Sequence, residues 1–163
     1  MKGFIPQIEP WIDETELFYL KKVIDSSYVT EYSLTEQFEE EIKKLTGSKY
    51  AIAYTNGTAA LFACIVNLGI GAGDEVIVPN MTFVATSNAV LMAGAKPVFC
   101  EVDKNTLCID PEQILKLITP QTKAIMPVHL YGQSADMHRI MEIAKENNLY
   151  VVEDAAQGVG VKF

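Results

Sequence analysis

Apolar residues recur at helical spacing through the first third of the chain. Leu17, Leu20, Val23 and Ile24 share one face behind Asp13, a residue suited to capping a first turn. Leu34, Phe38, Ile42 and Leu45 repeat the pattern behind Ser33-Leu34-Thr35-Glu36, which has the spacing of a capping box, and Gly47 stops it. The period then changes. Residues 49–55 are predicted as a strand and 58–68 as an apolar helix ended by Gly69. Further strands are predicted over 75–78, 97–102, 123–128 and 149–153. Helices are predicted over 83–92, 111–118 (capped by Asp110, with Pro111 at its first position) and 135–147.

The runs Val76-Ile77-Val78 and Tyr150-Val151-Val152 are continuously apolar rather than alternating. Such strands are buried on both faces, so the expected fold class is α/β, a mainly parallel sheet sandwiched by helices. No repeat, low-complexity tract or linker interrupts this order. Residues 1–47 read as a helical lead-in and 48–163 as alternating strand and helix.

The chain has 163 residues, enough for one domain with a substantial core. A net charge of −8 with pI near 4.7 argues against nucleic-acid and anionic-membrane partners, which need clustered Lys and Arg. Any phosphate must then be held by backbone N–H groups and a helix end. The segment Met1-Lys2-Gly3-Phe4-Ile5-Pro6 holds no signal-peptide run, and the apolar stretch over 59–70 is too short for a bilayer. Cys64, Cys100 and Cys108 form no Cys-x-x-Cys pair. They are expected as buried thiols in a reducing cytoplasm, with neither disulfide nor metal site.

In open parallel sheets, ligands bind beyond the carboxyl ends of the strands. One candidate end is Tyr54-Thr55-Asn56-Gly57-Thr58-Ala59-Ala60, a turn into a helix. Gly57 allows close backbone approach, Thr58 offers a hydroxyl, and the first-turn N–H groups favour an anion by about 0.3–1 kcal/mol. Asn56 and Thr58 serve equally well as plain helix caps, and taken alone that is the commoner case.

The other end is Glu153-Asp154-Ala155-Ala156-Gln157-Gly158. A carboxylate closing a buried strand is costly to keep charged unless it meets a cation, and the basic residues nearby in sequence offer none. A protonated pyridine nitrogen would satisfy Asp154. Holding that nitrogen protonated by two pKa units more than in water takes roughly 3 kcal/mol. An Asp that merely caps the turn is the alternative. Gly69-Ile70-Gly71-Ala72-Gly73 imitates a dinucleotide loop but follows a helix and precedes a strand, so it is a connecting turn. His129 and His138 are too isolated for a metal site. His138 is expected on a helix surface and His129 at a strand end.

These segments, in this order, resemble the DegT/DnrJ/StrS-type sugar aminotransferases, a branch of the fold-type I enzymes that use pyridoxal 5′-phosphate (PLP). The matching pieces are Phe38-Glu39, Gly47, Tyr50-Ala51-Ile52 and Thr55-Asn56-Gly57-Thr58-Ala59-Ala60-Leu61. They continue with Gly73-Asp74-Glu75-Val76-Ile77-Val78-Pro79, Thr82-Phe83-Val84-Ala85-Thr86, Pro127-Val128-His129-Leu130-Tyr131-Gly132 and Glu153-Asp154-Ala155-Ala156-Gln157.

The resemblance implies that Gly57, Thr58 and Ala59 hold the cofactor phosphate and that Phe83 lies against the ring. It implies that Asp154 pairs with the pyridine nitrogen and that Gln157 reaches the 3-hydroxyl. Residues 28–32 correspond to a stretch that approaches the sugar, with Tyr32-Ser33 where the family commonly has Gly-Pro.

The Schiff-base lysine of the family lies a few tens of residues beyond the Asp154 motif. Lys162 is too near, so no catalytic residue is assigned here. Residues 49–55 would pair with strands formed after that lysine. The chain is therefore expected to be the N-terminal part of one PLP-binding large domain, incomplete and inactive alone. The complete protein is expected to be a cytoplasmic homodimer that transfers an amino group, from glutamate, to a nucleotide-linked keto-sugar. A PLP-dependent sugar dehydratase with histidine for lysine, and a non-catalytic partner or regulatory domain, are the alternatives.

Overall fold

The computed structural model of the chain describes residue 3, residues 9–30 and residues 32–162. Most of the Met1–Pro6 segment lies outside the described residues. Two compact units are distinguished, Met1–Ile52 and Ala53–Phe163.

The first unit contains α1 (Glu14–Ser26) and α2 (Ser33–Thr46). At α1, an Asp13 carboxylate oxygen accepts the Thr15 N–H at 2.8 Å, and Glu16 accepts the Asp13 N–H at 2.7 Å. The reciprocal box expected at Ser33–Glu36 is thus found one helix earlier. In α2 the residue before the helix is Tyr32, extended at φ −161°, and it makes no side-chain cap. Ser33 is already helical, and a hydroxyl caps only from the extended position before the first turn. Tyr32 stacks on Tyr28 with ring centroids 4.5 Å apart, and its carbonyl takes the N–H groups of Thr35 and Glu36. Among the described residues neither helix buries a side chain; Leu17, Leu20, Ile24, Phe38 and Leu45 are exposed.

The strand expected over 49–55 does not form, and Ile52 and Tyr54 are exposed. A strand is a ladder and needs a neighbour; no described strand pairs with this segment.

The second unit is the α/β sheet. Strands β1 (Glu75–Pro79), β2 (Lys96–Cys100), β3 (Thr122–Ile125) and β4 (Tyr150–Val151) are all parallel, in the order β2-β1-β3-β4. Helices α3 (Gly57–Asn67), α4 (Ala85–Met92), α5 (Pro111–Leu117) and α6 (Met137–Glu146) alternate with them. Val76 and Val78 pack with Leu61 and Ile65 of α3 and Ala89 and Val90 of α4. Ile77 points the other way, into Ile114 of α5 and Met137, Ile140 and Ile143 of α6. Both sheet faces are therefore covered, as continuously apolar strands require. Each such buried aliphatic side chain contributes about 1.5–3 kcal/mol.

Boundaries differ from expectation where local chemistry intervenes. Regular pairing of β3 and β4 stops before Pro127, which has no N–H to give. It resumes as a single Val128–Asp154 bridge. Residues 83 and 84 precede α4 instead of opening it, and α6 begins at Met137 because Asp136 caps the Arg139 N–H at 3.1 Å. The glycine run over 69–73 is the connecting turn expected, with Gly69 and Gly73 at φ +73° and +94°. A short 3₁₀ turn over Leu130–Gly132, with Tyr131 at φ 54°, was not foreseen.

Cys100 and Cys108 are buried, and burial pushes the Cys100 thiol up to about 12. Cys64 corrects the expectation of three buried thiols: it is exposed, because α3 turns Leu61 and Ile65 inward instead. No described helix is long and apolar enough to cross a membrane.

Candidate functional site

Beyond the carboxyl ends of the strands lies a cleft of about 290 Å³. Its walls come from the start of α3 (Asn56, Gly57, Thr58, Leu61), the approach to and start of α4 (Thr82, Phe83, Ala85), and the strand ends at Val128, Asp154, Ala156 and Gln157. The two strand ends singled out in the sequence therefore open into one space.

At α3, Asn56 is extended and its side chain accepts the Ala59 N–H at 2.9 Å, while its carbonyl accepts the Ala60 N–H at 3.1 Å. Gly57 and Thr58 line the cleft, and their N–H groups have no acceptor within the helix. Ala59 is not part of the lining, and its N–H is held by Asn56. An added Cβ at Gly57 would meet no protein atom within 4 Å, and its φ is not left-handed. Neither strain nor the chain's own packing requires glycine there; open space beside the cleft is what its bare backbone provides.

Phe83 stands 68% exposed on the cleft wall. Asp154 is only 6% exposed. Its Oδ1 accepts the Ala156 N–H at 3.2 Å and its Oδ2 accepts the Thr86 hydroxyl at 2.8 Å. Among the described residues no Lys, Arg or His side chain forms an ion pair with it. A carboxylate offers about four acceptor positions, so capacity remains toward the cleft. Gln157 has its Oε1 committed to the Tyr131 N–H at 2.9 Å, which turns its NH₂ outward as a donor.

His129 is not a free base at the pocket edge. Its buried ring accepts the Ala135 N–H on Nδ1 at 3.2 Å, so the proton sits on Nε2, 3.1 Å from Glu153. Its backbone N–H donates to the Asp154 carbonyl, and a Cβ on Gly158 would overlap its own Cβ. His138 is exposed on α6. Sequence reasoning missed Thr82 and Thr86. Two threonines four residues apart, one just before α4 and one in its first turn, bring their hydroxyls together, and that spacing in an apolar stretch was the available signal.

The donor set fits an aromatic phosphate with a cationic ring nitrogen. It combines a helix N-terminus with a hydroxyl, apolar walls, and a buried carboxylate with no cationic partner among the described residues. A larger hollow of about 840 Å³ lies in the first unit, between Tyr19, Leu34 and Phe38, but no residue of either helix there is buried. The stretch 28–32 also belongs to that unit, and Glu31 lies outside the described residues.

The sequence profile of the DegT/DnrJ/EryC1/StrS aminotransferase family matches residues 10–163. GDP-perosamine synthase of Caulobacter vibrioides is 44% identical over 155 residues, which cover 94% of this chain and 42% of that protein. An aminotransferase of Psychrobacter cryohalolentis superposes with a TM-score of 0.88 at 45% identity, covering 93% of this chain and 39% of that one. NtdA of Bacillus subtilis, solved with bound pyridoxamine 5′-phosphate (PMP), gives 0.88 at 39% identity, covering 99% and 40%. The chain thus spans about two fifths of the length of these relatives. A match over nearly its whole length, joined to that cleft, leads to one conclusion: the chain belongs to the DegT/DnrJ/EryC1/StrS aminotransferase family.

Proposed function

We propose that this chain is the N-terminal, cofactor-holding part of a PLP-dependent aminotransferase acting on a nucleotide-linked keto-sugar, with glutamate as amino donor. Residues 1–163 form part of one large domain, with 1–47 as helical lead-in. The working protein is a cytoplasmic homodimer, and its Schiff-base lysine lies outside this chain. The observation that carries the reading is Asp154: a buried carboxylate whose donors among the described residues are both neutral, in the same cleft as the start of α3.

Gly57 and Thr58 would hold the phosphate through their N–H groups and the Thr58 hydroxyl, with Ala59 next in the same first turn, its own N–H held by Asn56. Phe83 covers one face of the ring and excludes water. Asp154 holds the proton on the ring nitrogen; the low dielectric that makes its burial costly also strengthens that pairing. Gln157, its oxygen fixed by Tyr131, offers its NH₂ to the ring's 3-hydroxyl oxygen. The cofactor, when bound, supplies an electron sink for the carbon that loses its proton in amino transfer.

The name of the Caulobacter relative points to GDP-linked keto-sugars as the first substrates to assay. The whole protein, given glutamate and PLP, should aminate at least one member of a nucleotide-linked keto-sugar panel, read by mass spectrometry. Amination of other keto compounds with every nucleotide-linked sugar untouched would refute the substrate class.

A further inference from the structure

Asp154 takes its strongest side-chain hydrogen bond from a residue with no assigned role. Thr86, in the first turn of α4, is completely buried, and its hydroxyl lies 2.8 Å from Asp154 Oδ2 across 68 positions of sequence. The Thr82 hydroxyl lies 2.9 Å from that of Thr86. A hydroxyl has one proton to give. Thr86 spends its proton on the carboxylate, so Thr82 must be the donor in the second contact. Two hydroxyls therefore point one way, from the cleft wall at Thr82, through Thr86, into Asp154. The sense holds only while Oδ2 carries no proton.

Valine would fill the volume of Thr86 equally well beside Ala85, Ala89 and Val90, all buried. The hydroxyl therefore serves its partner rather than the packing. With Ala156 on Oδ1 and Thr86 on Oδ2, both oxygens are oriented, and the lone pairs left over are those aimed at the cleft.

We infer that Thr86, backed by Thr82, is a positioning residue for the cofactor: it aims the Asp154 carboxylate and holds its charge for the ring nitrogen. This rests on the reading of Asp154 given above. Thr86 acts through Asp154, not on the ligand, and that separates it from a residue of merely structural value.

The test is equilibrium binding of two probes to the whole protein, followed by cofactor fluorescence or calorimetry. One probe is PMP, which needs no covalent bond; the other is its analogue with C–H in place of the ring nitrogen. Thr86→Val should weaken PMP about tenfold, the value of a hydrogen bond to a charged group, and leave the analogue unchanged. Thr86→Ser should bind PMP within about twofold of the wild type, since it keeps the donor. Within an Asp154→Asn background, Thr86→Val should add less than about twofold, the mark of a coupled pair.

Equal PMP affinity for Thr86→Val and wild type, or equal loss on both probes, overturns the inference. Should Thr86→Val fail to fold, Thr82→Val carries the same test, with a loss of about two- to threefold on PMP only; no such difference between probes overturns it. Loss of PMP binding in Asp154→Asn with none in Thr86→Val sinks this inference alone. Wild-type PMP binding by Asp154→Asn sinks the underlying reading as well.

Discussion

The two units of the chain show the same kind of hydrophobic patterning with opposite outcomes. In Met1–Ile52 the apolar faces of α1 and α2 have the correct helical spacing, yet no described side chain of either helix is buried. In Ala53–Phe163 the same kind of stripe on α6 buries Met137, Ile140, Ile143 and Ala144 against the sheet. Periodicity therefore specifies an element but not its burial. Burial requires a partner surface, which the sheet supplies in the second unit. Helices of 13 and 14 residues, marginal in isolation, rest in the first unit on caps and i,i+3 or i,i+4 ion pairs such as Lys21–Asp25 and Lys43–Glu40. Such exposed pairs are screened by water and contribute little.

That contrast is open to direct attack. Ile77→Ala, at the centre of β1, should cost about 2–5 kcal/mol in denaturant unfolding, whereas Leu20→Ala on the exposed face of α1 should cost less than about 1 kcal/mol. Equal losses would show that α1 is as well packed as the sheet. Gly158→Ala should cost about 1–3 kcal/mol, because the new Cβ overlaps the buried His129 and must push the Asp154 turn aside. A crystal structure of that variant with Asp154 unmoved would contradict the rigidity claimed for this turn.

Capping gives a smaller effect. Asp13→Ala should lower the thermal melting of α1 followed by circular dichroism, and Ser33→Ala should shift that of α2 far less. The smallest perturbation uses the thiols. In the folded protein Cys64 should react with a thiol reagent at neutral pH, while Cys100 and Cys108 stay unreacted until denaturant is added. For Cys100, burial first and then the Asp110 and Glu101 carboxylates push the thiol up to about 12, which leaves almost no thiolate.

Acid should act on the loop after β2. The Asp103 carboxyl is held below its ordinary value by the backbone N–H groups of Thr106 and Asn105. A group depressed on folding contributes stability that is present above the unfolded value near 3.8 and lost as pH falls through the folded one. Asp103→Asn should therefore lower stability at neutral pH, where that contribution is fully present, and the difference from wild type should shrink as pH falls below that value in pH-dependent denaturant unfolding.

The site was legible in part. The turn over 56–58 and Asp154 could be singled out because each stands at a strand end or helix start, where chain direction locates it at one rim of the sheet; Phe83 and Gln157 rest on the family resemblance alone. The Thr86 hydroxyl and the Tyr131 N–H could not be singled out, because each finds its partner dozens of positions away. The capping box was placed one helix late for a related reason. Asp13–Glu16 and Ser33–Glu36 carry equivalent spacing, and only the backbone angle at Tyr32 separates a capping residue from a first helical one.

What the amino-acid order determined by itself is the succession of elements and the α/β class. Periodicity, caps and breakers act over a few residues, and continuously apolar strands admit only a sheet covered on both sides. Tertiary structure alone decided which strands are neighbours, that residues 49–55 find no described partner, and that the Thr86 hydroxyl reaches Asp154. Those outcomes depend on groups brought together across long loops, where a hydrogen bond or a ladder exists only once its distant partner has arrived.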